Sequence, residues 1–228
     1  MEVPVYNNRG EQIKIIEVDD YVFNVPFNGP VVHQALVMHN ANARVGTAST
    51  KTRGEVAGST RKIRPQKYTG MARLGDRRSP LLRGGGVAFG PKPRDWSQRM
   101  PKKMRRLAIR CTLSAKLRDG ELKIIDTFGL ERPKTKEMAE ILKALGVEKS
   151  ALLVTRDPEP AVYLSARNLQ KVKTIPAHIV NVKDLLSHRM VIMTEGAVRK
   201  VEELWGRKAD EERAERLRRK KAKAKAKL

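Results

Sequence analysis

Twelve lysines and arginines fall between Thr47 and Ser97: Lys51, Arg53, Arg61, Lys62, Arg64, Lys67, Arg73, Arg77, Arg78, Arg83, Lys92 and Arg94. Tyr68, Phe89 and Trp96 are interleaved with them, and Gly84, Gly85 and Gly86 form an unbroken triplet. A guanidinium grips phosphate through paired hydrogen bonds and stacks on a base, an aromatic ring stacks on an unpaired base, and glycine lets a backbone lie close to an irregular surface. The chemistry this combination can do is non-covalent, and RNA is the surface it suits. The bland alternative is a flexible segment that adheres to anions; the interleaved aromatics favour defined contact. Lys102, Lys103, Arg105 and Arg106, in "PKKMRR", extend the set.

Covalent chemistry finds little support. His33, His39, His178 and His188 show no ligand spacing, no serine is set beside a base, and Cys111 sits in the apolar phase of a helical pattern, where a small buried residue is expected. "RGGGVAFGPKP" is not a dinucleotide loop, because no strand precedes it and Pro91 and Pro93 forbid the helix whose N-terminus would face a pyrophosphate. "GEVAGST" lacks the spacing and the lysine of a phosphate-binding loop. Carboxylates such as Glu202 and Glu203 read as a solvated helix face. No catalytic residue, no metal and no cofactor is expected.

The charge balance points the same way as the loop. The 228 residues carry 48 Lys plus Arg against 25 Asp plus Glu, a net charge of +23, and segments 51–96, 97–119 and 207–228 hold essentially all of the excess. Clustered charge makes a directed field that captures phosphates. No apolar run is long enough to span a bilayer, and the N-terminus lacks the basic and apolar regions of a secretory signal, so a soluble, reducing, intracellular setting without membrane is expected.

The elements that must position the basic loop can be read around it. "VPVYNNRGEQIKIIEV" reads as a hairpin and "VVHQALVMHNANA" as a helix ending near Arg44 to Gly46. From 47 to 96 no period holds, and half of the sixteen glycines lie there. A structureless span of that length in a folded protein is a functional extension or disorder. Unable to bury enough apolar area to offset its ordering entropy, it is expected to be disordered alone and ordered on a polyanion. "PKKMRRLAIRCTLSAKLRDG" predicts a helix over 98–119 with one apolar and one strongly basic face. "ELKIID", "TKEMAEILKALG", "SALLVT", "PAVYLSARNL", "VKTIP", "VKDLLSH", "RMVIMT" and "EGAVRKVEELWG" then alternate strand and helix, with Thr194 as an N-cap. Such alternation predicts an α/β fold with a mainly parallel sheet flanked by helices. The expected organisation is a globular domain over 1–46 and 97–206, an extended RNA-binding loop over 47–96, and a basic tail over 207–228 that is helical or disordered.

"RVGTASTKTRGEVAGSTRKIRPQK", "RSPLLRGGGVAFGPKPRDWSQRMPKKMRR", "PKTKEMAEILKALG", "LSARNLQKV" and "VIMTEGAVRKVEE" together resemble the bacterial large-subunit ribosomal protein four family over roughly residues 1–205. The resemblance implies a globular domain on the outside of the large subunit, with the loop threading through rRNA to line the nascent-peptide exit tunnel. By that likeness the tunnel-lining stretch is Lys67, Tyr68, Thr69, Gly70, Met71, Ala72 and Arg73, and Arg83 to Gly86 pack against rRNA. The family commonly has Gly where this chain has Tyr68 and Arg where it has Met71, which exchanges a charge for a stacking ring. Implied partners are large-subunit rRNA, neighbouring large-subunit ribosomal proteins and the nascent polypeptide, in the cytoplasm. Two other readings of the residues stand beside it: a nonspecific basic nucleic-acid-binding protein, and a nucleotide-dependent enzyme on the same type of sheet.

Overall fold

Alternating apolar residues give every central strand two buried faces. In the computed structural model, which describes residues 1–130, 132–147, 149–207, 211 and 213, Leu152 and Val154 of strand β4 (Ala151–Thr155) enter one core cluster while Ala151 and Leu153 enter another. Ile124 and Ile125 of β3 (Leu122–Ile125) split the same way, as do Met193 and Ile192 of β6 (Met190–Thr194). Each such side chain contributes on the order of 1.5–3 kcal/mol by leaving water. A strand buried on both sides needs helices on both sides, as sequence alternation predicts.

The sheet runs from Gln12–Glu17 (β2) through Glu2–Tyr6 (β1), β3, β6 and β4 to Val172–Pro176 (β5). β1 (Glu2–Tyr6) and β2 (Gln12–Glu17) form an antiparallel hairpin, and all other pairings, including β4 with β5 (Val172–Pro176), are parallel. The hairpin turns because Asn7 Oδ1 accepts from the backbone of Arg9 and Glu11 while Gly10 takes φ +82°. Helices α4 (Thr135–Ala144) and α5 (Pro160–Ala166) supply Met138, Ile141, Leu142, Val162 and Ala166 to one face. The other face takes α1 (Asp20–Phe23), α3 (Lys102–Arg118), α6 (Val182–Ser187) and α7 (Glu195–Trp205). α2 (Gly29–Asn42) packs Val32, Ala35 and Met38 against Ala108 and Cys111 of α3.

α3 departs from the expected two-faced helix. From Ala108 to Ser114 it is packed between the sheet, through Leu113, and α2, through Ala108 and Cys111, and Arg110 and Lys116 are buried rather than presented. The Arg110 guanidinium stacks over Tyr21, and Lys116 spends its donors on Glu121 (2.6 Å) and on the carbonyls of His188 (3.0 Å) and Arg189 (2.9 Å). The ammonium holds the Glu121 carboxyl below its ordinary pKa. The exposed cations of the helix are thereby divided between its first turns and Arg118 at its end. Thr194 caps α7 as its type suggests, its Oγ1 accepting from Ala197 N at 3.2 Å.

The chain divides into two compact units, one of Met1–Asn40 with the chain from Arg99 onward, and one of Ala41–Gln98. The tail expected over 207–228 lies outside the described residues apart from Arg207, Glu211 and Arg213.

Candidate nucleic-acid interface

No buried hydrophobic residue lies between Met38 and Met100, a span described throughout. The second unit is therefore held by backbone and polar contacts. Its two arms are laced together where Arg94 N donates to Gly46 O (3.2 Å), Thr50 N to Pro91 O (3.0 Å) and Val87 N to Lys51 O (2.9 Å). Further along, Gly86 N donates to Arg78 O (3.0 Å) and Ile63 N to Gly75 O (2.9 Å). Asn42 and Gln98 close the base, Gln98 N donating to Asn42 Oδ1 at 2.7 Å.

Three side-chain devices brace these arms. Trp96 has a guanidinium over its ring from Arg44 (3.4 Å to the centroid) and another from Arg94 (3.3 Å). Cation–π stacking of this kind is worth about 0.5–2 kcal/mol per pair. Glu55 accepts from Thr52 N and from Lys92, and the Lys92 ammonium, with the Thr52 bonds, holds its carboxyl down to about 2. Arg78 is half-buried, facing Asp76 and the Val56 carbonyl. Trp96 and Arg78, expected to face RNA, thus hold the unit's own shape.

The glycine triplet does the same on two of its three positions. A Cβ on Gly86 would stand 2.2 Å from Arg53 N, and one on Gly85 1.9 Å from Ser79 O. The close approach that glycine allows here is to the opposite arm at Gly86 and to the adjoining turn at Ser79 and Leu82 for Gly85. Gly84, at φ +82° with open space around it, is the position left facing outward.

What remains exposed is cationic and aromatic. Lys51, Arg53, Arg61, Lys62, Lys67, Arg73, Arg77, Arg83, Lys92 and Arg94 are exposed, and Arg64 is half-exposed. Tyr68 and Phe89 are fully solvent-facing, at 102% and 103% relative exposure. Tyr68 also takes φ +70°, the left-handed region that a non-glycine residue seldom occupies, directly before Thr69 and Gly70 at the exposed tip with Met71, Ala72 and Arg73. A cleft of about 850 Å³ is lined by Arg61, Lys62, Arg64, Arg77 and Arg83 without a carboxylate among its walls. Cations gathered without counter-charge repel one another, and a phosphate backbone relieves that repulsion.

In the other unit, Lys102, Lys103 and Arg105 are exposed and Arg106 half-buried on the first turns of α3. No acidic residue occupies that first turn, and Pro101 offers no side-chain cap. Cations at a helix N-terminus oppose the helix dipole, an arrangement that an anion corrects.

The crevice at the carboxyl ends of β3, β4 and β6, where sheets of this type bind ligands, is differently built. Asp126, Glu195 and Glu203 line it together with Arg156, Arg199 and Lys200. Lys14 of β2 pairs with Glu195 (2.6 Å) and Asp126 (3.2 Å), and these carboxylates raise the Lys14 pKa. Among the described residues no group of three or more His, Cys, Asp or Glu could hold a metal ion, and no helix is long and apolar enough to cross a membrane.

Sequence reasoning missed Arg44, Gly46 and Glu55 as structural parts. Only the Arg94-x-Trp96 spacing hinted at the stack; Arg44 reaches it from fifty residues away in sequence. Gly46, at φ +65°, would drive a Cβ to 2.2 Å from Arg94 O.

A family model described as "Ribosomal protein L4/L1 family" matches residues 16–204. "Large ribosomal subunit protein uL4" of Dehalococcoides mccartyi is 56% identical over 209 residues, covering 92% of this chain and 100% of that protein. The proteins of the same name from Pelotomaculum thermopropionicum and Moorella thermoacetica are 49% and 48% identical, each covering 89% of this chain and 98% of the relative.

Proposed function

The chain belongs to the ribosomal protein L4/L1 family, and from that premise we propose that its Ala41–Gln98 unit binds large-subunit rRNA and carries its tip to the nascent-peptide exit tunnel. The protein is a structural constituent of the large ribosomal subunit in the cytoplasm, and not an enzyme. Neighbouring large-subunit ribosomal proteins and the nascent polypeptide are its further partners in this reading, and the segment Lys67–Arg73 is its tunnel-lining part.

The observation that carries the reading is the absence of buried hydrophobic side chains between Met38 and Met100, combined with full exposure of Tyr68 and Phe89 among cations. Folding a span that large costs about 1–2 kcal/mol of backbone entropy per residue. Its own apolar burial is limited to half-buried side chains such as Val56, Leu74, Leu82 and Trp96, so the remainder comes from a partner. Phosphate contacts with release of counter-ions supply the energy, and the exposed rings add stacking on unpaired bases. The laced neck shortens the part that must be ordered on binding and aims the tip. The fold with residues 1–40 and 99–206 acts as the anchor, with Lys102, Lys103, Arg105 and Arg106 adding phosphate contacts.

The test is co-sedimentation with large subunits in moderately high salt. The protein is expected to remain bound where a nonspecific basic adherent washes away. Its release in parallel with such an adherent, or equal affinity for duplex DNA and large-subunit rRNA, contradicts the proposal.

A further inference from the structure

We propose that the cleft between α2, the start of α3, the segment 177–182 and the end of α7 receives one unstacked nucleotide of the rRNA, base inward and phosphate on the rim. The proposal deepens the rRNA-binding reading and rests on it. The cavity measures about 330 Å³, within the range of pockets that enclose small ligands. It lies wholly within the Met1–Asn40 and Arg99-onward unit, apart from the extension that the family resemblance singles out.

Its walls divide as a nucleotide divides. Ala35, Val180, Val182 and Trp205 are buried apolar walls, joined by Ile109. Lys102, Arg105 and Arg106 line it as well, at a spacing of three and four residues that places them on one face of α3, the face that also carries Ile109. Lys102 and Arg105, three residues apart and both exposed, repel one another, and a phosphate held between them converts the repulsion into charge-assisted hydrogen bonds. A planar base joined to a phosphodiester anion meets both. A free phosphate leaves the apolar wall wet, and a carboxylate side chain has no planar body to cover it.

His39 also lines the cleft, half-buried. Burial pushes its pKa down, against the pull of Asp184, and Arg105 and Lys183 push it further the same way. A neutral imidazole offers one donor and one acceptor, the complement of a base edge.

The test is an NMR titration of the full chain with nucleoside 5′-monophosphates, the corresponding nucleosides, inorganic phosphate and a glutamate-rich peptide. The expected result is a saturable shift of the Trp205 indole and Ile109 methyl signals with monophosphates. Nucleoside or phosphate alone should need at least about tenfold higher concentration, since each forfeits one half of the site. Arg105→Glu should abolish the shift while the thermal melt is unchanged, as the side chain is exposed. The proposal is overturned if phosphate alone reproduces the shift, if the acidic peptide saturates the site first, or if the signals stay still. Filter binding of the same sample to large-subunit rRNA reads the wider proposal independently: retained rRNA with a silent cleft removes the nucleotide site only, and lost rRNA binding with a responsive cleft removes the wider reading.

Discussion

At the scale of single residues, glycines and one carboxylate set the shape of the extension. Gly86→Ala would press a Cβ to 2.2 Å from Arg53 N, a contact that forces the backbone apart. The variant is expected to lose roughly tenfold in rRNA affinity, about 1.4 kcal/mol, with its thermal melt unchanged because residue 86 lies outside the hydrophobic clusters. Gly75→Ala is the control: nothing lies within 4 Å of its Cβ, and filter binding should match the unaltered protein. Glu55 gives a pH reading. Its folded pKa is depressed to about 2 from an ordinary 4.5, so the Glu55–Lys92 brace is present above the ordinary value and is lost as pH falls toward 2. Carboxyl NMR should show that titration, and Lys92→Ala should return it toward 4.5.

At the scale of elements, the two ends of α3 and the cap of α7 carry opposite lessons. Thr194→Ala removes the bond to Ala197 N and should cost about 1 kcal/mol in a denaturant melt. Lys116→Ala removes the donor of the His188 and Arg189 carbonyls and leaves Glu121 to Arg189 (3.4 Å), and should cost roughly 2 kcal/mol, well above a surface lysine such as Lys103. The cap was legible in sequence because capping is local: a threonine before an apolar-periodic run. The strands were legible for the same reason, each a short apolar run between breakers. The inward turn of Arg110 and Lys116 was not, because α3 is enclosed by the sheet and by α2, and no window of sequence records a neighbour seventy residues away. Within the extension, the exposure of Tyr68, Phe89 and most of the cations follows from a stretch with no apolar period, while the approach of Trp96 to Arg44 and of Gly86 to Arg53 depends on long-range pairing that has no local period.

At the scale of the whole molecule, hydrophobic burial and positive charge are assigned to different stretches of chain. The core clusters draw on residues 3–38 and 100–205, and the extension draws on none of them. Replacing residues 47–96 by a short glycine-serine linker should therefore leave one cooperative melt at nearly the original temperature. The most direct measurement is the salt dependence of binding to large-subunit rRNA by the full chain and by that deletion. Each phosphate contact contributes about 0.7–0.9 to the slope of log affinity against log salt. The account predicts a slope shallower by several units in the deletion, together with weaker binding at every salt concentration. Equal slopes and equal affinities would contradict it.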